Sequence, residues 1–272
     1  MAQAFFCPSR FEPSGASADC PLFASMSVVL HYFPLRARGE ALRMLLRYSG
    51  LPYEDKLVQF NEWFGGAKEM APPGRLGHRQ LPLLGLPDGT LMPESLDIAK
   101  YIAEQSEIPL FGDDPAQAER IFRLWEKGEL LGDDHRINPI LNWFPREEAE
   151  PQIPAFLAAA PTTWRYLAGE LGTGRYFGGA KPHYGDFAAF HYLDNLCTLD
   201  GGATLAGLGD AGVALRQWYD TMRSLPAVAS YLAERPQPGS GLIGRPGSIM
   251  ATVAVPSELH VVKEALCQAR AV

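Results

Sequence analysis

Tyr32-Phe33-Pro34-Leu35-Arg36-Ala37-Arg38-Gly39-Glu40-Ala41-Leu42-Arg43-Met44-Leu45-Leu46 decides how the rest of the chain is read. The residues that lead into it, Ser27 to Phe33, are β-branched and aromatic enough for a short buried strand, and Pro34 closes the ladder. Tyr32 is thereby delivered to a strand's C-terminal end. After the turn, Leu42, Leu45 and Leu46 recur at helical spacing with Ala41 and Met44 beside them, and Gly50 stands where the helix stops. A strand feeding a helix is half of a βαβ unit, and ligands of open α/β sheets sit beyond the carboxyl ends of the strands. Tyr32 is placed where a ligand would be.

Working outward, Tyr53 to Val58 reads as a second, weakly alternating strand that completes the βαβ unit. From Phe60 to Gly77 the pattern breaks into a loop rich in Gly and Pro, with Trp63 as its large apolar anchor and Lys68 as one of its few cations. Gln80 to Gly85 and Thr90 to Met92 flank a Pro87-Asp88-Gly89 turn as a hairpin. Glu94-Ser95 then opens an amphipathic helix running to about Gln105. Residues 27–105 therefore form a small α/β domain in the order βαβ, loop, ββα. Past the linker Pro109 to Gly112, helical periodicity takes over in Ala116–Leu131, Ile153–Leu171, Gly185–Leu199, Ala211–Arg223 and Pro226–Arg235. Residues 114–235 make a second, all-helical domain. Residues 1–26 read as a flexible leader, and 236–272 as a C-terminal extension, Pro/Gly-punctuated and then weakly helical.

At 272 residues and a formal charge of -7, the chain has room for two domains and lacks the basic balance that a nucleic-acid backbone or an anionic membrane needs. A small molecule or a protein is the expected partner. Cys7, Cys20, Cys197 and Cys267 show no C-x-x-C pair, which points to a reducing compartment. No apolar run approaches a membrane span, and the leader lacks the charged start and apolar centre of a secretion signal. The six histidines show no metal spacing, and Asp133-Asp134-His135 reads as a solvated segment, so no metal is expected.

Several side chains invite a chemical reading beside a structural one. A phenol with its ordinary pKa of about 10 is a hydrogen-bond donor at neutral pH. At a strand end, Tyr32 suits an anionic sulfur as well as it suits a structural bond. Arg38 near a helix N-terminus adds a cation where the dipole is already positive, which fits either a bound anion or an ion pair with Glu40. Arg36, Arg43 and Arg47 read as a solvated face. Pro82 opens a strand and leaves the peptide of Leu81 to bond something outside the sheet. Ser95 is a good helix cap, and Glu94-Ser95 sits where free N–H groups attract a carboxylate. Trp63 suits a core, Lys68 solvent, and Asp186, three residues after His183, a capping box.

In combination, the order and spacing of these pieces resemble the cytosolic glutathione S-transferases of the tyrosine-type classes (pi, mu, alpha, sigma). The opening Tyr32-Phe33-Pro34-Leu35-Arg36-Ala37-Arg38 with Ala41-Leu42-Arg43-Met44-Leu45-Leu46 is very similar to the pi-class opening, and the likeness continues through Trp63, Gln80-Leu81-Pro82 and Glu94-Ser95 to Arg235. The resemblance implies a thioredoxin-like first domain that binds glutathione and a helical second domain that holds a hydrophobic electrophile, in a cytoplasmic homodimer with a detoxifying role and no cofactor beyond glutathione as co-substrate. Tyr32 would donate to the glutathione sulfur, with Arg38 helping to hold the thiolate. Trp63, Lys68 and Gln80 would meet the glycyl carboxylate, Leu81 before a cis Pro82 the cysteinyl backbone, and Glu94 and Ser95 the γ-glutamyl end. Asp186 would cap the helical domain.

The chain departs from that pattern in three places. The stretch from Lys68 to Gln80 is a few residues long, which shifts the Lys68 assignment by several positions if the insertion lies before it. His183 replaces the usual Ser or Thr of the capping box, a weaker cap. The leader and the tail have no counterpart. Residues 33 to 37 hold no Ser or Cys, which leaves Tyr32 as the candidate donor and argues against a disulfide reductase. A glutathione-dependent isomerase of the prostaglandin-synthase kind, and a ligand carrier or structural protein in the manner of lens crystallins, are the alternatives. An acid near Asp133 is a candidate to reach across a dimer.

Overall fold

In the computed structural model, residues 27–128, 136–237, 244–245 and 247–252 are described. The leader, Asp133 and most of the tail lie outside the described residues.

Strand β1 (Val28–Tyr32) is central in a four-stranded sheet of order β2-β1-β3-β4. It pairs in parallel with β2 (Tyr53–Leu57), Val28 opposite Tyr53 and Tyr32 opposite Leu57, and antiparallel with β3 (Leu83–Gly85), which pairs in turn with β4 (Leu91–Met92). Parallel neighbours need a crossover, and helix α1 (Ala37–Ser49) supplies it. Its Leu42, Met44, Leu45 and Leu46 are fully buried, and each such side chain contributes about 1.5–3 kcal/mol by leaving water. Gly50, at φ 75°, ends the helix in the left-handed conformation that glycine adopts without strain. Helix α2 (Ser95–Gln105) closes the domain. The stretch from Phe60, expected as loop, winds into consecutive short turns, Phe60–Glu62, Trp63–Ala67 and Lys68–Met70, each too short to show a helical period in sequence.

The second domain is helical: α3 (Pro115–Gly128), α4 (Ile153–Leu171), α5 (Tyr184–Asp200), α6 (Asp210–Arg223) and α7 (Pro226–Glu234). Helix α5 is apolar around most of its circumference, which places it at the centre, and Phe187, Phe190 and Leu193 are fully buried there. Among the described residues no helix is long and apolar enough to cross a membrane.

Two expectations are corrected. The cap of α5 is complete: His183 Nδ1 accepts the Asp186 N–H at 3.1 Å, doing what a hydroxyl would, while Asp186 Oδ2 accepts the His183 N–H at 2.9 Å. The Arg36–Arg43 face of α1 is not solvated, for Arg36 is 3 % and Arg43 5 % exposed. Helix α7 returns across it with complementary groups: Glu40 accepts from Arg235 at 2.6 Å and from the Tyr231 hydroxyl at 2.7 Å. Arg235 also reaches Asp194 at 2.7 Å, and Arg43 is held by Asp55 at 2.8 Å and the Leu35 carbonyl at 2.7 Å. A buried charge is costly unless it is paired, and the partners here come from outside the helix: Arg235 for Glu40, and Asp55 of β2 for Arg43. Only Arg47 of that face is exposed, as expected.

His191 sits under this network, wholly buried, and burial pushes its imidazole down to about 4 despite the pull of Glu40 and Asp194. An unfolded imidazole titrates near 6.5, so between those values unfolding takes up a proton and stability falls as pH drops. From pH 7 to pH 5 the expected loss is about 2 kcal/mol, levelling off below pH 4. Unfolding midpoints across that range check it: His191→Asn should flatten the profile, and an equally steep profile in the variant would refute the assignment.

Candidate active site

Tyr32 ends β1 on the wall of a cavity of about 540 Å³ that lies between the sheet's carboxyl edge and residues 138–143 of the helical domain. The first N–H groups of a helix have no partner within it. The Tyr32 hydroxyl oxygen accepts one of them, from Arg38, at 3.0 Å. An oxygen that accepts an N–H at a positive helix end becomes a stronger O–H donor through polarisation. The ring is fixed by Phe33, 5.8 Å between centroids, and by the Arg43 guanidinium 5.6 Å from its centre. Gly39 lets α1 lie against it, since a Cβ there would come within 2.3 Å of Tyr32 Cδ1.

Arg38 shares the wall, with Nη1 at 3.3 Å from Gln80 Oε1. The alternative of an ion pair with Glu40 is excluded, because that carboxylate is committed to Arg235 and Tyr231. Trp63 is both core and wall: 5 % exposed, it packs edge-on to Phe33 at 6.2 Å and borders the cavity beside Phe64. Lys68, Gln80 and Leu81 line the cavity too, and the Leu81–Pro82 peptide is cis, one residue before β3 begins.

Glu94 and Ser95 are not on the lining. Glu94 turns back to the preceding loop, Oε1 accepting the Arg75 N–H at 2.7 Å, and its backbone sits at φ 71°, the one positive φ outside glycine among the described residues. Such strain costs about 1–3 kcal/mol and is concentrated at functional positions. Ser95 is not the cap of α2, since Glu94 holds that place and makes no side-chain cap bond. The Ser95 hydroxyl donates instead to Glu126 of α3 at 2.9 Å, and burial pushes the Glu126 carboxyl up.

Sequence reasoning missed Arg79, Asn138, Pro139, Trp143 and Glu126. Arg79 lay in an irregular stretch with no period to place it. The turn Pro139–Trp143 is one turn long, and Trp143 gains its place by packing on Phe33 at 6.4 Å and Phe60 at 5.9 Å, with the Arg245 guanidinium 6.0 Å over its ring. The finished lining carries three cations, Arg38, Lys68 and Arg79, and no carboxylate among the described residues. One side is aromatic. A phenol beside cations that make no ion pair among the described residues suits a ligand with an anionic sulfur and carboxylates, and the aromatic side suits an apolar second reactant.

A family model described as glutathione S-transferase, N-terminal domain, matches residues 39–105, and one described as its C-terminal domain matches residues 137–235. "Probable glutathione S-transferase 7" of Caenorhabditis elegans is 31% identical over 206 residues, 76% of this chain and 84% of that protein. "Hematopoietic prostaglandin D synthase" of Gallus gallus is 29% identical over 216 residues, 76% of this chain and 96% of that protein. Among solved structures, the sigma class GST of Fasciola hepatica superposes with a TM-score of 0.59 at 25% identity, over 78% of this chain and 98% of its own.

Proposed function

The chain belongs to the glutathione S-transferase family, and from that premise we propose that the Tyr32 cavity binds glutathione and conjugates its thiolate to hydrophobic electrophiles. The observation that carries this reading is the Tyr32 hydroxyl on the cavity wall with the Arg38 N–H behind it at 3.0 Å. Tyr32 donates to the sulfur and keeps it ionised, Arg38 adds a positive potential, and the ordered thiolate attacks an electrophile laid against Phe33, Phe64 and Trp143. Atoms balance: a carbon–sulfur bond forms, and a leaving group departs or a proton adds to the far carbon.

Trp63, Lys68 and Gln80, with Arg79 beside them, meet the glycyl carboxylate. The Leu81 backbone faces the cysteinyl unit. The γ-glutamyl end reaches Glu94 and Ser95 when Ser95 exchanges Glu126 for the ligand. Glutathione is a co-substrate and no further cofactor is invoked. A cytoplasmic homodimer is part of the same reading.

Lys68→Ala is expected to raise KM for glutathione about tenfold with kcat within about twofold, the low end for a hydrogen bond to a charged group at a half-buried site. Initial rates at varied glutathione check it. The same shift in Arg79→Ala, with Lys68→Ala silent, moves the carboxylate site eleven residues along. Conjugation of glutathione to an aromatic halide separates the transferase from a carrier on this fold: glutathione bound without turnover favours the carrier. The isomerase reading is supported by the similarity to the prostaglandin D synthase, and product analysis with a prostaglandin endoperoxide tests it.

A further inference from the structure

The helical domain contributes Asn138, Pro139 and Trp143 to the described wall of the Tyr32 cavity, and Asn138 is the polar one of the three. It stands at the start of the turn Pro139–Trp143, where an asparagine oxygen ordinarily accepts a backbone N–H of the first turn, yet its side chain makes no such cap bond. Asn138 Oδ1 accepts instead from Asn142 Nδ2 at 2.6 Å.

That bond decides which end of the amide the cavity meets. With the oxygen turned to Asn142, the NH₂ group is left, and it has no partner among the described residues and is not sealed from water. The residue as a whole is 6 % exposed, so it is a nearly buried donor with one open direction. Asn142 is wholly buried, and its own Oδ1 has no partner among the described residues. An unpaired buried oxygen destabilises a fold where a leucine of similar volume would not. Packing alone does not account for an amide at that position, whereas orienting Asn138 does.

We propose that Asn138 is a specificity-determining donor in the conjugation reaction, its NH₂ meeting an acceptor oxygen on the electrophile, and that the substrate class it selects is the α,β-unsaturated ketone with an apolar body. The assignment rests on the binding and ionisation of glutathione at Tyr32 proposed above. Phe33, Phe64 and Trp143 take the apolar body. The thiolate sulfur bonds the β-carbon, the π pair of the C=C bond is displaced onto the carbonyl oxygen as an enolate, and a proton from water then adds to the α-carbon as the carbonyl re-forms. Asn138 donates to that oxygen, where charge develops, from an orientation fixed before the reaction begins. A benzyl halide places its developing charge on the departing halide and offers the amide no oxygen.

The test is a ratio, kcat/KM for 4-phenyl-3-buten-2-one over kcat/KM for benzyl chloride, both measured with glutathione on the full chain. Asn138→Leu should lower the ratio about tenfold or more, mainly through kcat for the ketone, because the bond strengthens as the enolate forms. Asn138→Asp keeps the shape, removes the donor and should lower the ratio at least as far. Should both fold poorly, Asn142→Leu, which keeps the volume and frees the Asn138 side chain, should lower it about threefold or more. A fall of less than about threefold in every folded variant, or an equal loss for both electrophiles, as a merely structural role would give, would overturn the assignment. If the wild type conjugates neither electrophile, the transferase reading fails and this assignment with it; conjugation of both at an unmoved ratio overturns Asn138 alone.

Discussion

Tyr32→Phe is expected to lower kcat/KM for glutathione conjugation at pH 6.5 by about ten- to a hundredfold, because a hydrogen bond to a charged acceptor contributes about 1.5–3 kcal/mol. Lost from the thiolate, that energy raises the bound thiol by roughly one to two pKa units toward its free value near 8.5. The deficit should therefore depend on pH. Above about pH 9.5, where the thiol ionises unaided, the variant should approach wild type, and the acid limb of its profile should shift up by the same one to two units. The ultraviolet absorbance of the bound thiolate should shift in parallel. Phenylalanine keeps the packing against Phe33, Gly39 and Arg43, and loss of the acceptor for the Arg38 N–H costs about 1 kcal/mol of stability. A profile that drops equally at every pH would mean that Tyr32 positions the ligand without ionising it. An unchanged profile would remove Tyr32 from the chemistry.

What the sequence disclosed follows from the range of its signals. Strand β1, helix α1, the Pro82 and Asp88-Gly89 turn signals and the long helices are written in local period and composition, and they were legible from Tyr32 outward. Tyr32 and Arg38 were placed because a strand end and a helix start fix them to within a turn. The arginine face of α1 was misread because what buries it comes from outside the helix: Arg235 and Tyr231 close over Glu40 from about 190 residues on, Asp55 of β2 takes Arg43, and nothing in residues 36–47 announces those partners. Ser95 was misread for the same reason. Its hydroxyl satisfies every rule for a cap, but Glu126 of the next domain offers a nearer charged acceptor at 2.9 Å. Trp143 was invisible because a single turn has no period, and its position depends on tilted and edge-on contacts with Phe33 and Phe60 from the other domain. Local rules locate Tyr32; long-range packing decides what surrounds it.

The largest stability effect is expected at Asp186, far from the Tyr32 cavity. Its two carboxylate oxygens accept four N–H groups: Oδ1 takes Phe177 N at 3.0 Å and Trp218 Nε1 at 2.9 Å, and Oδ2 takes Gly178 N at 3.1 Å and His183 N at 2.9 Å. Both Asp186 and His183 are wholly excluded from water. This one side chain ties the loop before α5 to the start of that helix and to α6. Asp186→Ala leaves four donors with neither partner nor solvent, at about 1–3 kcal/mol for each group stranded in a buried site, so a loss of about 4 kcal/mol or more is expected. For a chain of this size that lowers the unfolding midpoint by about 10 °C or more. Asp186→Asn discriminates the cause. The amide keeps the volume but turns an NH₂ toward two of the donors, so it should lose almost as much as alanine, measured by thermal unfolding at pH 7. The fraction that remains folded should bind glutathione as wild type does, because none of these groups lines the cavity. If asparagine retained wild-type stability, the four-donor account would fail, and size alone would explain the residue at that position.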